Sequence, residues 1–211
     1  MTDKLDGGIK KARIYTYPIH DSLYINITNR CPNACLFCIR NSSEGVGYNL
    51  WLEKEPSAGE VLATVGDLKG YREMVFCGYG EPLTRPDVLI EIASGLKERI
   101  RNEGLDIEIR INTNGLADLF LGYDILPRLK GLIDTISISL NAHNSEVYLR
   151  ITRSPYGTEA YPAVLDFARR SVGYIPKVAL SVVRYPGVDI EEAMKISRNL
   201  GIELRVREYM T

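Results

Sequence analysis

Apolar and polar positions along the chain follow two periods in alternation. Short β-branched runs at residues 23–28 (LYINIT), 74–77 (MVFC), 107–112 (IEIRIN), 135–140 (TISISL), 178–183 (VALSVV) and 203–208 (ELRVRE) read as strands. Stretches of helical period at 58–65, 87–102, 116–130, 161–172 and 190–200 lie between them. Gly104 and Gly201 follow two of these helices, where a left-handed residue commonly ends the last turn. Strands joined by helical crossovers predict an α/β fold with a parallel sheet. Six β/α units suit either an open doubly wound sheet or a TIM barrel lacking two of its eight units, a partial (β/α)6 barrel.

The polar residues cluster just past the strands. Residues 29–38 follow the first run, 78–82 the second, 112–115 the third, 139–141 the fourth and 184–186 the fifth. In both architectures chemistry gathers at the C-terminal strand ends, so all five clusters are expected on one face.

Composition changes little in this picture. The 211 residues are 45% hydrophobic and 25% charged with a net charge of −1, an ordinary globular balance with no electrostatic bias towards nucleic acid. No apolar run is long enough to span a membrane. Residues 1–20 lack the apolar core of a secretory signal and read as an N-terminal extension, with 21–211 as a single domain. Cysteines packed this closely make a poor disulfide framework, which points to a reducing, cytoplasmic setting.

Cys31, Cys35 and Cys38, spaced C-x3-C-x2-C, are three of the four cysteines. Three thiolates on one loop can hold three irons of a [4Fe–4S] cube and leave the fourth iron open. Pro32 and Asn33 suit a loop that wraps around such a group. A zinc site completed by Cys77, His20 or His143 is the alternative, although the paired C-x2-C knuckles of a zinc ribbon are absent. Cys77 by itself reads as a small buried residue at a strand end.

With Phe37 as the aromatic before its last cysteine, this motif resembles the signature of the radical SAM superfamily. Gly78-Tyr79-Gly80-Glu81-Pro82 lies where that family carries a Gly-Gly-Glu motif, Tyr79 taking the variable place. The resemblance implies a partial six-unit barrel, with Cys31, Cys35 and Cys38 as ligands of a [4Fe–4S] cluster. The open iron would bind the amino and carboxylate groups of S-adenosyl-L-methionine. Reductive cleavage would give a 5′-deoxyadenosyl radical that abstracts hydrogen from an unidentified substrate; no protein residue is assigned a catalytic role.

The same resemblance puts Phe37 near the adenine, and Gly78, Gly80 and Glu81 against the methionyl amino group. Asn112, Asn114, Ser139 and Asn141 would contact the ribose or the methionyl carboxylate, with turn chemistry as their other reading. Arg184 would pair with the cofactor carboxylate or face solvent. Trp51 and residues 53–60 are either a cover over the site or a connecting loop capped by Ser57. YINITNRCPNACLFCIR and the later EPS look like the small radical SAM proteins associated with TatD-type hydrolases, which implies a functional link to such a hydrolase. A one-electron donor such as a flavodoxin or ferredoxin is implied as partner. A glycyl-radical-enzyme activase acting on a partner protein is an alternative, and a barrel open at its side could admit such a large substrate. The RNA-methylating branch needs further cysteines downstream and none follows Cys77, so that branch is set aside; a single cluster is expected. From another class, a non-catalytic iron–sulfur or zinc module for binding or electron transfer predicts no affinity for S-adenosylmethionine.

Overall fold

The computed structural model describes residues 11–42 and 45–210. Among these residues seven strands form one sheet in the order of the chain: β1 (Thr16–Ile19), β2 (Ser22–Ile25), β3 (Glu73–Phe76), β4 (Glu108–Thr113), β5 (Thr135–Ser139), β6 (Lys177–Arg184) and β7 (Glu203–Glu208). β2 to β7 are parallel, in registers such as Asn112↔Ser137 and Ser139↔Ser181; β1 pairs antiparallel with β2. Successive parallel neighbours joined by crossovers of one hand keep every helix on the same face, and a twisted sheet wound this way curls into a barrel. The strand order contains no reversal, so the doubly wound alternative falls and the fold is a partial barrel.

The sheet's two faces differ in chemistry. Ile25, Phe76, Ile109, Ile111, Ile136, Ile138 and Leu180 are buried in the main core. Their partners in that core come from α2 (Pro86–Asn102), with Leu89, Ile92 and Leu96, and from α6 (Ala160–Ser171), with Val164 and Phe167. The alternate positions face the lumen and are mostly polar, including Arg110, Asn112, Ser137, Ser139 and Ser181.

Two elements escape the sequence pattern. β1 contains Pro18, which cannot donate to a ladder; it is tolerated because β1 is an edge strand. The boundary drawn at 20/21 therefore falls at the turn of the β1–β2 hairpin. Tyr15 and Tyr17 are buried, and Thr16–Ile19 belongs to the sheet rather than to an extension; residues 1–10 lie outside those described. The other element, α5 (Ser145–Thr152), is only two turns long and is started by Asn144, whose side chain accepts from the Val147 amide at 2.8 Å. The predicted helix at 116–130 is broken into α3 (Ala117–Leu121) and α4 (Leu126–Leu129), with Gly122 left-handed at φ 76° between them. α1 (Ala58–Leu62) starts with the expected cap: Ser57 and Glu60 form a reciprocal capping box. α7 (Ile190–Leu200) keeps the predicted bounds. Among the described residues no helix is long and apolar enough to cross a membrane.

Candidate cluster and cofactor site

The loop after β2 carries Cys31, Cys35 and Cys38 into a cavity of about 370 Å³ at the C-terminal strand ends. Helix α5 holds this loop. Its last carbonyls, which have no partner within the helix, accept from the Leu36 amide (Ile151 O, 2.8 Å) and the Ala34 amide (Thr152 O, 3.0 Å). The backbone on either side of Cys35 is thus hung on a helix terminus, and the Cys38 amide closes the next turn onto Cys35 O at 3.2 Å.

The donor set fits a polynuclear cluster. Burial pushes the Cys31 thiol up to about 11, helped by the charge of Glu81, and the Cys35 thiol up to about 12, helped by Cys31 and Cys38. These thiolates are therefore unfavourable in the metal-free protein and need cationic partners. Among the described residues no three His, Cys, Asp or Glu, the three cysteines included, are grouped closely enough to hold a single metal ion. His143 instead accepts from the Asp189 amide at 3.0 Å, and His20 sits in the β1–β2 turn at φ 53°.

Gly78, Tyr79, Gly80 and Glu81 line the same cavity from the loop after β3. The glycines have a tighter reason to be there than access for a ligand. A Cβ on Gly80 would lie 2.5 Å from Thr28 O and 2.7 Å from Arg30 O, and one on Gly78 would lie 2.1 Å from Asn26 Oδ1. The β3 loop thus packs directly on the backbone leading into the cysteine loop, and the Glu81 amide donates to Arg30 O at 2.8 Å. The Glu81 carboxylate turns into the protein. It accepts from the Asn114 amide at 2.7 Å, the Thr113 hydroxyl at 2.9 Å and the Leu83 amide at 3.1 Å. Burial outweighs these donors and pushes its pKa up to about 7.

Asn112, Asn114, Ser139 and Asn141 all line the cavity. Asn141 takes a left-handed conformation, φ 59°, directly past β5. Phe37 is half-buried on the wall, its ring 5.6 Å from that of Tyr185. Arg184 is the exception: it is exposed, pairs with Glu208 at 3.2 Å and does not line the cavity. The reason is strand parity. Ser181 and Val183 point into the lumen, so Arg184, one residue on, does not; the guanidinium on the wall is that of Arg207.

Several lining residues were not identified from the sequence: Tyr24, Ser137 and Ser181, with Tyr17 and Leu50 as an apolar side. Cys77 lies on the cavity wall, and burial raises its pKa. Leu50 is fixed because its carbonyl accepts from Asn26 Nδ2 (3.0 Å) and Asn29 Nδ2 (2.9 Å). The segment around Trp51, whose ring lies 5.3 Å from that of Tyr79, is a wall of the site.

The sequence profile of the Radical SAM superfamily matches residues 25–200. The probable GTP 3',8-cyclase of Thermococcus kodakarensis is 29% identical over 168 residues, covering 80% of this chain and 49% of that protein. Molybdenum cofactor biosynthesis protein 1 of Drosophila melanogaster is 31% identical over 194 residues, 90% of this chain and 32% of that protein. The chain spans half or less of the length of these two relatives. A solved radical SAM methyltransferase from Sphaerobacter thermophilus superposes with a TM-score of 0.57 at 18% identity, covering 92% of this chain and 68% of the other, a likeness of fold. With the profile matched over most of its length, the chain belongs to the radical SAM superfamily, whose enzymes use a [4Fe–4S] cluster and S-adenosylmethionine.

Proposed function

We propose that Cys31, Cys35 and Cys38 ligate the cluster and that S-adenosylmethionine is held across the strand ends by the Gly78–Glu81 loop, Asn112, Ser139 and Asn141, with Phe37 beside the adenine. The observation that carries this reading is that three partly buried cysteines and the Gly78–Glu81 loop line one cavity. When bound, the cluster and S-adenosylmethionine together supply a 5′-deoxyadenosyl radical that takes a hydrogen atom from the substrate. The chain's own share is to orient and to exclude water. Tyr17, Val46, Leu50 and Phe37 make an apolar wall, and Glu81 ties the β3 and β4 loops together.

A one-electron reductant is required; a flavodoxin or ferredoxin is the class of donor expected in a reducing cytoplasm, which the four free cysteines favour. For the substrate we favour a purine nucleotide such as GTP, because the relatives include proteins named GTP 3',8-cyclases. Those names lend no support to a protein substrate, to glycyl-radical activation or to a TatD-type hydrolase partner.

The test is anaerobic. Reconstituted protein with dithionite and S-adenosylmethionine is assayed by chromatography for 5′-deoxyadenosine, with and without GTP. Release of the nucleoside, lost in Cys35→Ala and raised by GTP, is the expected result. Iron loading with no nucleoside under either condition would refute the radical chemistry, and release indifferent to GTP would refute the nucleotide reading alone.

A further inference from the structure

Asn114 stands out because every polar atom of this residue whose partner is known serves the same geometry. Its backbone amide donates to Glu81 Oε2 at 2.7 Å, and its side-chain Oδ1 accepts from the Leu116 amide at 2.9 Å. With the oxygen committed to Leu116, the amide group cannot flip without losing that bond, so the NH2 end is left facing Cys31. Asn114 Nδ2 lies 3.9 Å from Cys31 Sγ, the long separation usual for N–H···S contacts. Asn114 is also nine-tenths buried, so its own amide group is shielded from water.

The turn that presents this amide is itself fixed. Thr113 Oγ1 donates to Glu81 Oε1 at 2.9 Å and accepts from the Gly115 amide at 3.2 Å. Gly115 has φ 74°, and a Cβ there would lie 2.9 Å from Ile138 Cγ2, so no other residue closes the turn without strain. Glu81 therefore holds Thr113 and Asn114 together, and through them the direction of one N–H bond.

We propose that Asn114 donates a hydrogen bond to the Cys31 thiolate and raises the reduction potential of the cluster, with Glu81 as the positioning residue for it. The proposal rests on Cys31 being a cluster ligand. Reduction by one electron adds negative charge to the cluster and its thiolates, and a fixed N–H dipole aimed at one of those sulfurs stabilises the reduced form more than the oxidised one. The residue thus makes the cluster easier to reduce.

The experiment is an EPR-monitored redox titration of the reconstituted cluster, without S-adenosylmethionine, in the wild type, Asn114→Ser and Asn114→Asp. Both replacements keep a side-chain oxygen to accept from the Leu116 amide and so preserve the turn, while both remove the NH2. The serine variant is expected to have a more negative midpoint potential than the wild type at equal iron content, and the aspartate variant, which adds a negative charge, a lower one still. Glu81→Gln, which presents a donor to the amides it should accept from, is expected to shift the potential in the same direction. Should the aspartate variant fail to load iron, the serine variant alone decides. Equal potentials in wild type and Asn114→Ser at equal iron content would overturn the proposal. Wild-type protein that takes up no iron would instead overturn the assignment of Cys31, and the proposal with it.

Discussion

Replacing Gly80 by alanine tests whether the β3 loop is built onto the cysteine loop. The added methyl would stand 2.5 Å from Thr28 O, 2.7 Å from Arg30 O and 2.9 Å from Asn29 C, all backbone atoms that no rotamer change can clear. Forcing a methyl into such packing costs roughly 1–3 kcal/mol. The loop can retreat only by lengthening the Glu81 N–H···O=C Arg30 bond of 2.8 Å, worth about 1 kcal/mol more. The sum, roughly 2–4 kcal/mol, corresponds to a fall in Tm of about 4–16 °C for a domain of this size. Gly59→Ala is the control. Gly59 lies in α1 with open space around it, so alanine there is expected to leave stability unchanged or raise it by up to about 1 kcal/mol. The assay is thermal unfolding of metal-free protein by circular dichroism, followed by iron content after reconstitution, which should fall for Gly80→Ala and not for Gly59→Ala. A Gly80→Ala protein that melts within about 2 °C of wild type and loads iron equally would refute the reasoning.

Three further outcomes follow from the same geometry. Glu81 has its carboxyl pushed from the ordinary 4.5 to about 7, so the stability it contributes as a neutral acid is present below about 4.5 and is lost as pH rises through about 7. At about 1.4 kcal/mol per pH unit the loss is roughly 3 kcal/mol; urea unfolding of the metal-free protein should show it between pH 5 and 8, and Glu81→Gln should abolish the slope. Arg184→Ala removes an exposed pair with Glu208, so stability should move by no more than about 0.5 kcal/mol and S-adenosylmethionine affinity by calorimetry should not change; a tenfold weakening would return Arg184 to the site. Ser57→Ala breaks the capping box of α1 and should cost about 1 kcal/mol in chemical denaturation while leaving iron loading intact.

The parts of the site that lie in one continuous stretch were legible in the sequence. Cys31, Cys35 and Cys38 carry their chemistry in their spacing, and Gly78 to Glu81 follows a strand at a fixed place. What was missed is made by the sheet. Ser137 and Ser181 are unremarkable residues until strand parity turns them inward, and Arg207 rather than Arg184 lines the wall for the same reason. The role of the two glycines is likewise tertiary: the atoms they avoid belong to residues about 50 positions earlier in the chain.

The choice between barrel and doubly wound sheet was nonetheless present in the strands themselves. A parallel strand covered by helices on both faces reads as a continuous apolar run. β4 and β5 do not: Ile109 and Ile111 alternate with Arg110 and Asn112, and Ile136 and Ile138 with Ser137 and Ser139. One face of this sheet is therefore not meant for a second layer of helices, which an open barrel with a polar lumen satisfies and a doubly wound sheet does not. The lumen is also graded along its axis. At the N-terminal strand ends its charges neutralise one another, with Arg110 on Glu73 at 2.9 Å and Lys177 on Glu108. Nearer the cysteine loop the polar atoms are left wanting, since Asn112 Oδ1 and Ser137 Oγ are buried on the cavity wall with no protein partner. Leaving such atoms unpaired has a cost that a water or a bound ligand removes. Asn112 Oδ1 and Ser137 Oγ thus leave unmet hydrogen-bonding capacity in the cavity that the three cysteines line, while Arg110 Nε leaves some further down the lumen.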